Sequence, residues 1–176
     1  MLSVLNKWQG VKQITRLDKP IGIYLLLWPT FWALWIAADD WPPLKILVIF
    51  SLGVVIMRSA GCVINDFADR HVDGQVARTK QRPLVSGLLS SKEALTIFGL
   101  LIGAAFYLVT MLSWYTVLLS VVAVFLATLY PFCKRFTQLP QLVLGAAFSW
   151  GMIMAFAELD GQVPLVAWLL FVANLL

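Results

Sequence analysis

Charge is what this chain has least of. Of its 176 residues only 12% are charged and one is histidine, while 61% are hydrophobic. A soluble domain carries about a quarter charged residues, so burial in a small core cannot account for the apolar excess. Cysteine is scarce too. Cys62 and Cys133 lie in or beside apolar runs without CxxC spacing, which argues against a disulfide or a zinc pair and for reduced packing residues. The net charge of +4 is dispersed along the chain, not gathered into a basic patch, so no nucleic-acid partner is expected. The first twenty residues hold Lys7, Lys12, Arg16 and Lys19 but no apolar stretch. That pattern is not a cleavable signal peptide, and the first span reads as an uncleaved anchor.

Long apolar runs are what the chain has instead. A crossing helix needs about 20 mostly apolar residues. Five segments serve: Ile21–Ala38, Leu44–Asn65, Ala94–Leu112, Trp114–Tyr130 and Gln141–Ala157. A sixth run starts at Pro164 and reaches Leu176 with about 13 residues, too few to cross. Turn chemistry separates them at Asp39-Asp40-Trp41-Pro42-Pro43, at Pro140 and at Asp160-Gly161. The expected fold is all-α: one multi-span transmembrane helical bundle over residues 1–176, with five full spans and a truncated sixth, seated in a lipid bilayer.

Basic residues fall on alternate connections. Lys7, Lys12, Arg16 and Lys19 precede the first span, Arg70, Arg78, Lys80, Arg82 and Lys92 follow the second, and Lys134 and Arg135 follow the fourth. The remaining connections carry Asp39, Asp40, Glu158 and Asp160, with Lys45 their lone base. The positive-inside rule then puts the N-terminus and the polar segment Asp66–Glu93 on the cytoplasmic face of a bacterial-type inner membrane. Gly53, Gly61, Gly99, Gly103, Gly145 and Gly151 read as points of close helix approach.

The chemistry gathers where the second span ends, between Arg58 and Asp73. If that helix continues to Asp73, a 100° step per residue places Asn65, Arg58, Asp69, Cys62, Asp73 and Asp66 within an arc of roughly 100°. Asn65, Asp66, Asp69 and Asp73 are hard oxygen donors. Mg²⁺ is commonly held by one or two carboxylates plus substrate phosphates, so the stripe suits a metal-bound diphosphate better than a closed cage. Carboxylates alone repel a diphosphate, and basic residues must also reach its oxygens. Arg70, Arg78, Lys80 and Arg82 follow in the loop, and Lys134 and Arg135 lie on the same membrane side. Arg58, an intramembrane charge that is costly unpaired, is expected to pair with Asp66 or Asp69. Taken singly, each aspartate serves equally well to solvate a helix end. The Arg78–Arg82 cluster fits a topology signal as well as a substrate contact, and His71 reads as an exposed loop residue.

Asn65-Asp66-x-x-Asp69-x-x-x-Asp73 resembles the first aspartate-rich motif of the UbiA-type intramembrane prenyltransferases. Asp18-Lys-Pro-Ile-Gly22, Trp28-Pro29-Thr-Phe-Trp32, Arg82-Pro-Leu-Val-Ser-Gly87 and Tyr130-Pro131-Phe-Cys-Lys134-Arg135 are similar to the 4-hydroxybenzoate branch, with Val85 where a proline is common. The resemblance implies transfer of a polyprenyl group from polyprenyl diphosphate to the ring carbon ortho to the hydroxyl of 4-hydroxybenzoate, in ubiquinone biosynthesis. Mg²⁺ is the implied cofactor, held by Asn65, Asp66, Asp69 and Asp73. The implied catalytic residues are Asp69, Asp73, Arg70 and Arg135, and the substrate-binding residues Arg58, Asn65, Arg78, Arg82 and Lys134. The family bundle has about nine spans and a second motif, DxxxD, whereas this chain ends in its sixth run. An N-terminal portion of a longer enzyme, with little turnover alone, is therefore expected. Three alternatives stand beside it: a sister enzyme with another acceptor, a transporter or channel with Arg58, Asn65 and Asp69 on an ion path, and an inactive remnant serving assembly.

Overall fold

In lipid, backbone polar groups must be satisfied within the chain's own segments, so the apolar runs become helices. The computed structural model describes residues 2–75, 77–133, 137 and 139–175. These form α1 (Leu2–Ile14), α2 (Ile21–Ala38), α3 (Leu44–Asp69), α4 (Ser91–Val109), α5 (Trp114–Cys133), α6 (Pro140–Asp160) and α7 (Leu165–Leu175). There is no strand among the described residues. Five helices, α2 to α6, are long and apolar enough to cross a membrane. The all-α bundle read from the sequence is the fold observed.

Local chemistry sets the helix ends. Ser90 caps α4 with a reciprocal capping box: its hydroxyl accepts from the Glu93 N–H at 3.2 Å, and the Glu93 carboxylate accepts from the Ser90 N–H at 2.8 Å. Gly161, at φ +68°, takes the left-handed position that ends α6. One expected end is corrected. The helix carrying the carboxylates stops at Asp69, and Asp73 opens a separate 3₁₀ turn, Asp73–Gln75. The Val72 N–H already bonds the Asp69 carbonyl at 2.9 Å, and Thr79 donates its hydroxyl to the Asp73 carbonyl at 2.6 Å. A tight turn held from the following loop replaces the last helical turn.

The spans α2, α3, α4, α5 and α6 surround a central space, with α3 packed mainly on α4, α2 and α5 on α6, and α7 outside α6. One apolar core joins Ala33 and Leu34 of α2 to Met152, Ile153 and Phe156 of α6. A smaller one joins Ile14 of α1, Val63 of α3, Leu89 and Ala94. It fixes α1 against the end of α3 that carries Asp66, where Lys7 also pairs with Glu93. At the opposite end Glu158 accepts from the Ser113 N–H at 2.9 Å and the Thr116 hydroxyl at 2.8 Å, and Lys45 donates to the Met111 carbonyl at 3.2 Å.

The glycines do not all serve packing, and the uniform reading above is corrected. A Cβ at Gly53, Gly61, Gly99 or Gly103 would meet nothing within 4 Å. Gly145 is different: its Cβ would stand 2.7 Å from the Leu175 carbonyl oxygen, so α7 rests directly on α6. Gly145→Ala is expected to destabilise the protein by about 1–3 kcal/mol, an overpacking cost. A fall in the thermal unfolding midpoint in detergent, absent in Gly99→Ala, checks this.

Candidate functional site

With 3.6 residues per turn, residues four apart stack along a helix face. On α3 this yields two adjacent ridges. One is Ile49, Gly53, Met57, Gly61 and Asn65; the other is Phe50, Val54, Arg58, Cys62 and Asp66. All ten line one cavity of about 630 Å³, together with residues of α2, α4, α5 and α6. One end of it is polar, with Arg16, Asn65, Asp66, Arg78 and Arg82, and the remainder is apolar apart from Arg58, Thr30, Ser120 and Tyr130.

Asp66 anchors the polar end. Its side chain is 2% exposed, and so buried a carboxylate needs countercharge. Two guanidinium groups supply it. Arg16 Nη2 donates to both carboxylate oxygens at 3.1 Å, and Arg82 Nη1 lies 3.1 Å from Oδ1. The same Arg82 Nη1 donates to Asp73 Oδ2 at 2.6 Å. Arg82 therefore brings together two carboxylates that the helix end separates. Arg16 reaches the site from the α1–α2 connection with a left-handed backbone, φ +58°.

Arg58 does not pair with Asp66 or Asp69 as expected. It lies about 12 Å along the axis from Asp66, whose oxygens are already taken by arginines from the adjoining loops. Its guanidinium instead stands over the Phe148 ring, 5.4 Å from the centroid. It also occupies the space a Cβ would fill at Gly22, 2.6 Å from that position. Its Nε is buried with no hydrogen-bond acceptor. That is an orphaned donor packed against α2, and orphaned buried donors are costly.

The other expected site residues divide. Asn65, Asp66, Arg58, Arg78 and Arg82 meet at the cavity, whereas Asp69, Asp73 and Arg70 are not among its lining. The Arg70 guanidinium folds back over Phe67, 4.1 Å from the ring centroid, and donates to the Phe67 carbonyl at 2.6 Å. His71 is exposed, as expected. Lys134 and Arg135 lie outside the described residues. Sequence reading passed over Arg16, taken only as a topology signal, and Phe148. Arg16 stands two positions before the Asp18-Lys-Pro-Ile-Gly22 motif, but nothing in the sequence links it to an aspartate 50 residues away.

No three His, Cys, Asp or Glu side chains among the described residues form a closed metal cage. Asp66 and Asp73 share one guanidinium, and Asn65 opens on the same cavity. Such oxygen donors fit an Mg²⁺ ion that draws its remaining ligands from phosphate and water.

An apolar helical bundle with a buried carboxylate and arginines at the mouth of an apolar cavity defines a class of membrane protein with a charged site opening on a lipid-like space. The profile of the UbiA prenyltransferase family matches residues 26–176, and the chain belongs to that family. It is 70% identical over 172 residues to the 4-hydroxybenzoate octaprenyltransferase of Colwellia psychrerythraea, covering 98% of this chain and 60% of that protein. To the Azotobacter vinelandii protein of the same name it is 61% identical, over 93% of this chain and 55% of that one. The chain thus spans about 60% of the length of these relatives. Among solved structures, a UbiA homologue from Aeropyrum pernix superposes with TM-score 0.75 at 28% identity, over 88% of this chain and 58% of that one. A UbiA homologue from Archaeoglobus fulgidus bound to GPP and Mg²⁺ shares the fold, with TM-score 0.79 at 17% identity, over 94% and 60%.

Proposed function

We propose that this chain provides the donor and acceptor half-site of an Mg²⁺-dependent 4-hydroxybenzoate polyprenyltransferase, with its N-terminus and polar cavity mouth on the cytoplasmic side of an inner membrane. The observation that carries the reading is the cavity itself. It joins a carboxylate–arginine mouth to apolar walls, with Arg58 lining it partway along. The names of the relatives and the ligands of the Archaeoglobus homologue agree with this chemistry.

Asn65, Asp66, Asp69 and Asp73 would hold the metal. Mg²⁺ bound there with the diphosphate supplies positive charge to the leaving group. Arg16, Arg78 and Arg82 turn N–H groups to the diphosphate oxygens, where charge grows as the allylic C–O bond breaks. Arg58, which lines the cavity, takes the carboxylate of 4-hydroxybenzoate, and Phe148 holds the guanidinium in place. The ring carbon ortho to the hydroxyl then bonds the allylic cation, and loss of the ring proton restores aromaticity. Among the lining residues of α4, α5 and α6 only Ser120 and Tyr130 are polar. Such walls keep water from the cation and would make a poor ion path.

The test is transfer from a labelled polyprenyl diphosphate to 4-hydroxybenzoate in membranes carrying the chain, with Asp69→Ala and Mg²⁺ removal as controls. Metal-dependent product, reduced about a hundredfold or more in Asp69→Ala, is expected when the chain is carried in a protein of its relatives' full length. Product formation indifferent to metal or to Asp69 would refute the reading.

A further inference from the structure

The α3 ridge that ends at Asn65 alternates bulk with space: Ile49, Gly53, Met57, Gly61, Asn65. Gly53 and Gly61 line the cavity, and a Cβ at either would meet no heavy atom within 4 Å. They are notches in a cavity wall, not helix contacts. The charged groups occupy the neighbouring ridge, where Arg58 leans toward Gly22 of α2 and Phe148 of α6. Polar chemistry and apolar notches therefore run side by side along one helix. From Asn65 the notched ridge reaches Gly61 after about 6 Å, Gly53 after about 18 Å and Ile49 after about 24 Å.

We propose that this ridge is the groove for the prenyl tail, and that Gly61 and Gly53, in that order from the diphosphate end, determine how long a tail can enter. The proposal rests on the reading of the cavity as a polyprenyl diphosphate site. A branched side chain at Gly61 bars the groove close to the diphosphate, and one at Gly53 bars it deeper. Both positions open onto empty space, so a larger residue there excludes the tail without overpacking the bundle. The consequence is an ordered shift in the donor accepted, not a general loss of binding.

The test measures binding of dimethylallyl, geranyl and geranylgeranyl diphosphate, each with Mg²⁺, to the full chain in lipid nanodiscs by calorimetry. Wild type, Gly53→Leu and Gly61→Leu are compared, with Gly99→Leu as a control because Gly99 has equally open surroundings but does not line the cavity. Gly53→Val and Gly61→Val replace either leucine variant that fails to insert. Gly61→Leu should keep dimethylallyl diphosphate and lose about tenfold or more for both longer donors. Gly53→Leu should keep the two shorter donors and lose only geranylgeranyl diphosphate, and Gly99→Leu should match wild type. Equal loss of all three donors in both variants, or unchanged profiles in both, overturns the groove while leaving the cavity's function intact. A wild type that binds no donor overturns the reading of the cavity, and the groove with it.

Discussion

Arg58→Met should weaken 4-hydroxybenzoate binding roughly ten- to hundredfold while leaving the thermal unfolding midpoint unchanged or raised. The first half follows from the bond Arg58 is placed to make. A hydrogen bond involving a charged group is worth about 1.5–3 kcal/mol, and each 1.4 kcal/mol is about tenfold in affinity. The second half follows from what Arg58 lacks. It has no carboxylate partner among the described residues, its Nε is buried without an acceptor, and its guanidinium rests over the Phe148 ring and against Gly22. A partly desolvated cation–π contact is worth about 1–2 kcal/mol, and an unsatisfied buried donor costs about 1–3 kcal/mol, so the loss of one is offset by relief of the other. Methionine fills similar space without the donor. Equilibrium binding of labelled 4-hydroxybenzoate to the chain, loaded with Mg²⁺ and a diphosphate donor, measures the first effect; unfolding in detergent measures the second. Phenol, which has no carboxylate, should bind wild type and variant alike. Equal weakening for phenol and 4-hydroxybenzoate would show that Arg58 supports the pocket's shape and does not recognise a carboxylate.

Gly22 fits the same account. Its missing Cβ leaves the room that the Arg58 guanidinium fills, 2.6 Å from where that carbon would stand. The neighbour is the end of a flexible side chain, so Gly22→Ala would displace the guanidinium at small cost to the fold. The sequence showed the Asp18-Lys-Pro-Ile-Gly22 motif but not this reason for its glycine.

The spans were legible because lipid leaves few choices: apolar length sets the helix, and Pro, Gly and paired aspartates set its ends. α2 begins and ends where the sequence placed it, at Ile21 and Ala38. The polar face carrying Arg58, Asn65 and Asp66 was legible for the same reason, as helical periodicity within one unbroken element. Legibility failed where geometry ceased to be periodic. Asp73 leaves the stripe because the chain turns after Asp69, and its place is set by Arg82 and Thr79 from the following loop. Arg16 was missed because its partner is 50 residues distant and the contact depends on how α1 docks. Glycine content alone cannot say whether a small residue meets a neighbour, as at Gly145, or empty space, as at Gly53.

The second large effect concerns the charge on Asp66. Removing one partner of a buried ion pair typically costs about 3–5 kcal/mol, because a charge is left uncompensated. Asp66, however, has two partners, and Arg16 and Arg82 are themselves 28% and 19% exposed. Arg16→Gln or Arg82→Gln alone still leaves one guanidinium on the carboxylate, so each should cost only about 1–2 kcal/mol. Arg82→Gln should be the larger of the two, since it also strips Asp73 of its partner at 2.6 Å. With both arginines replaced, the carboxylate is buried with no countercharge, and the loss should exceed the sum of the single effects by about 1–3 kcal/mol. Adding Asp66→Asn to that double variant removes the stranded charge and should recover much of the loss, even though it deletes a third member of the network. Asp66→Asn in the wild-type background should instead destabilise, because it leaves two arginines without their shared carboxylate. Thermal unfolding of the five variants in one detergent decides the matter. Additive losses without rescue by Asp66→Asn would mean that the arginines contribute independently, and that the Asp66 charge is compensated by something other than Arg16 and Arg82.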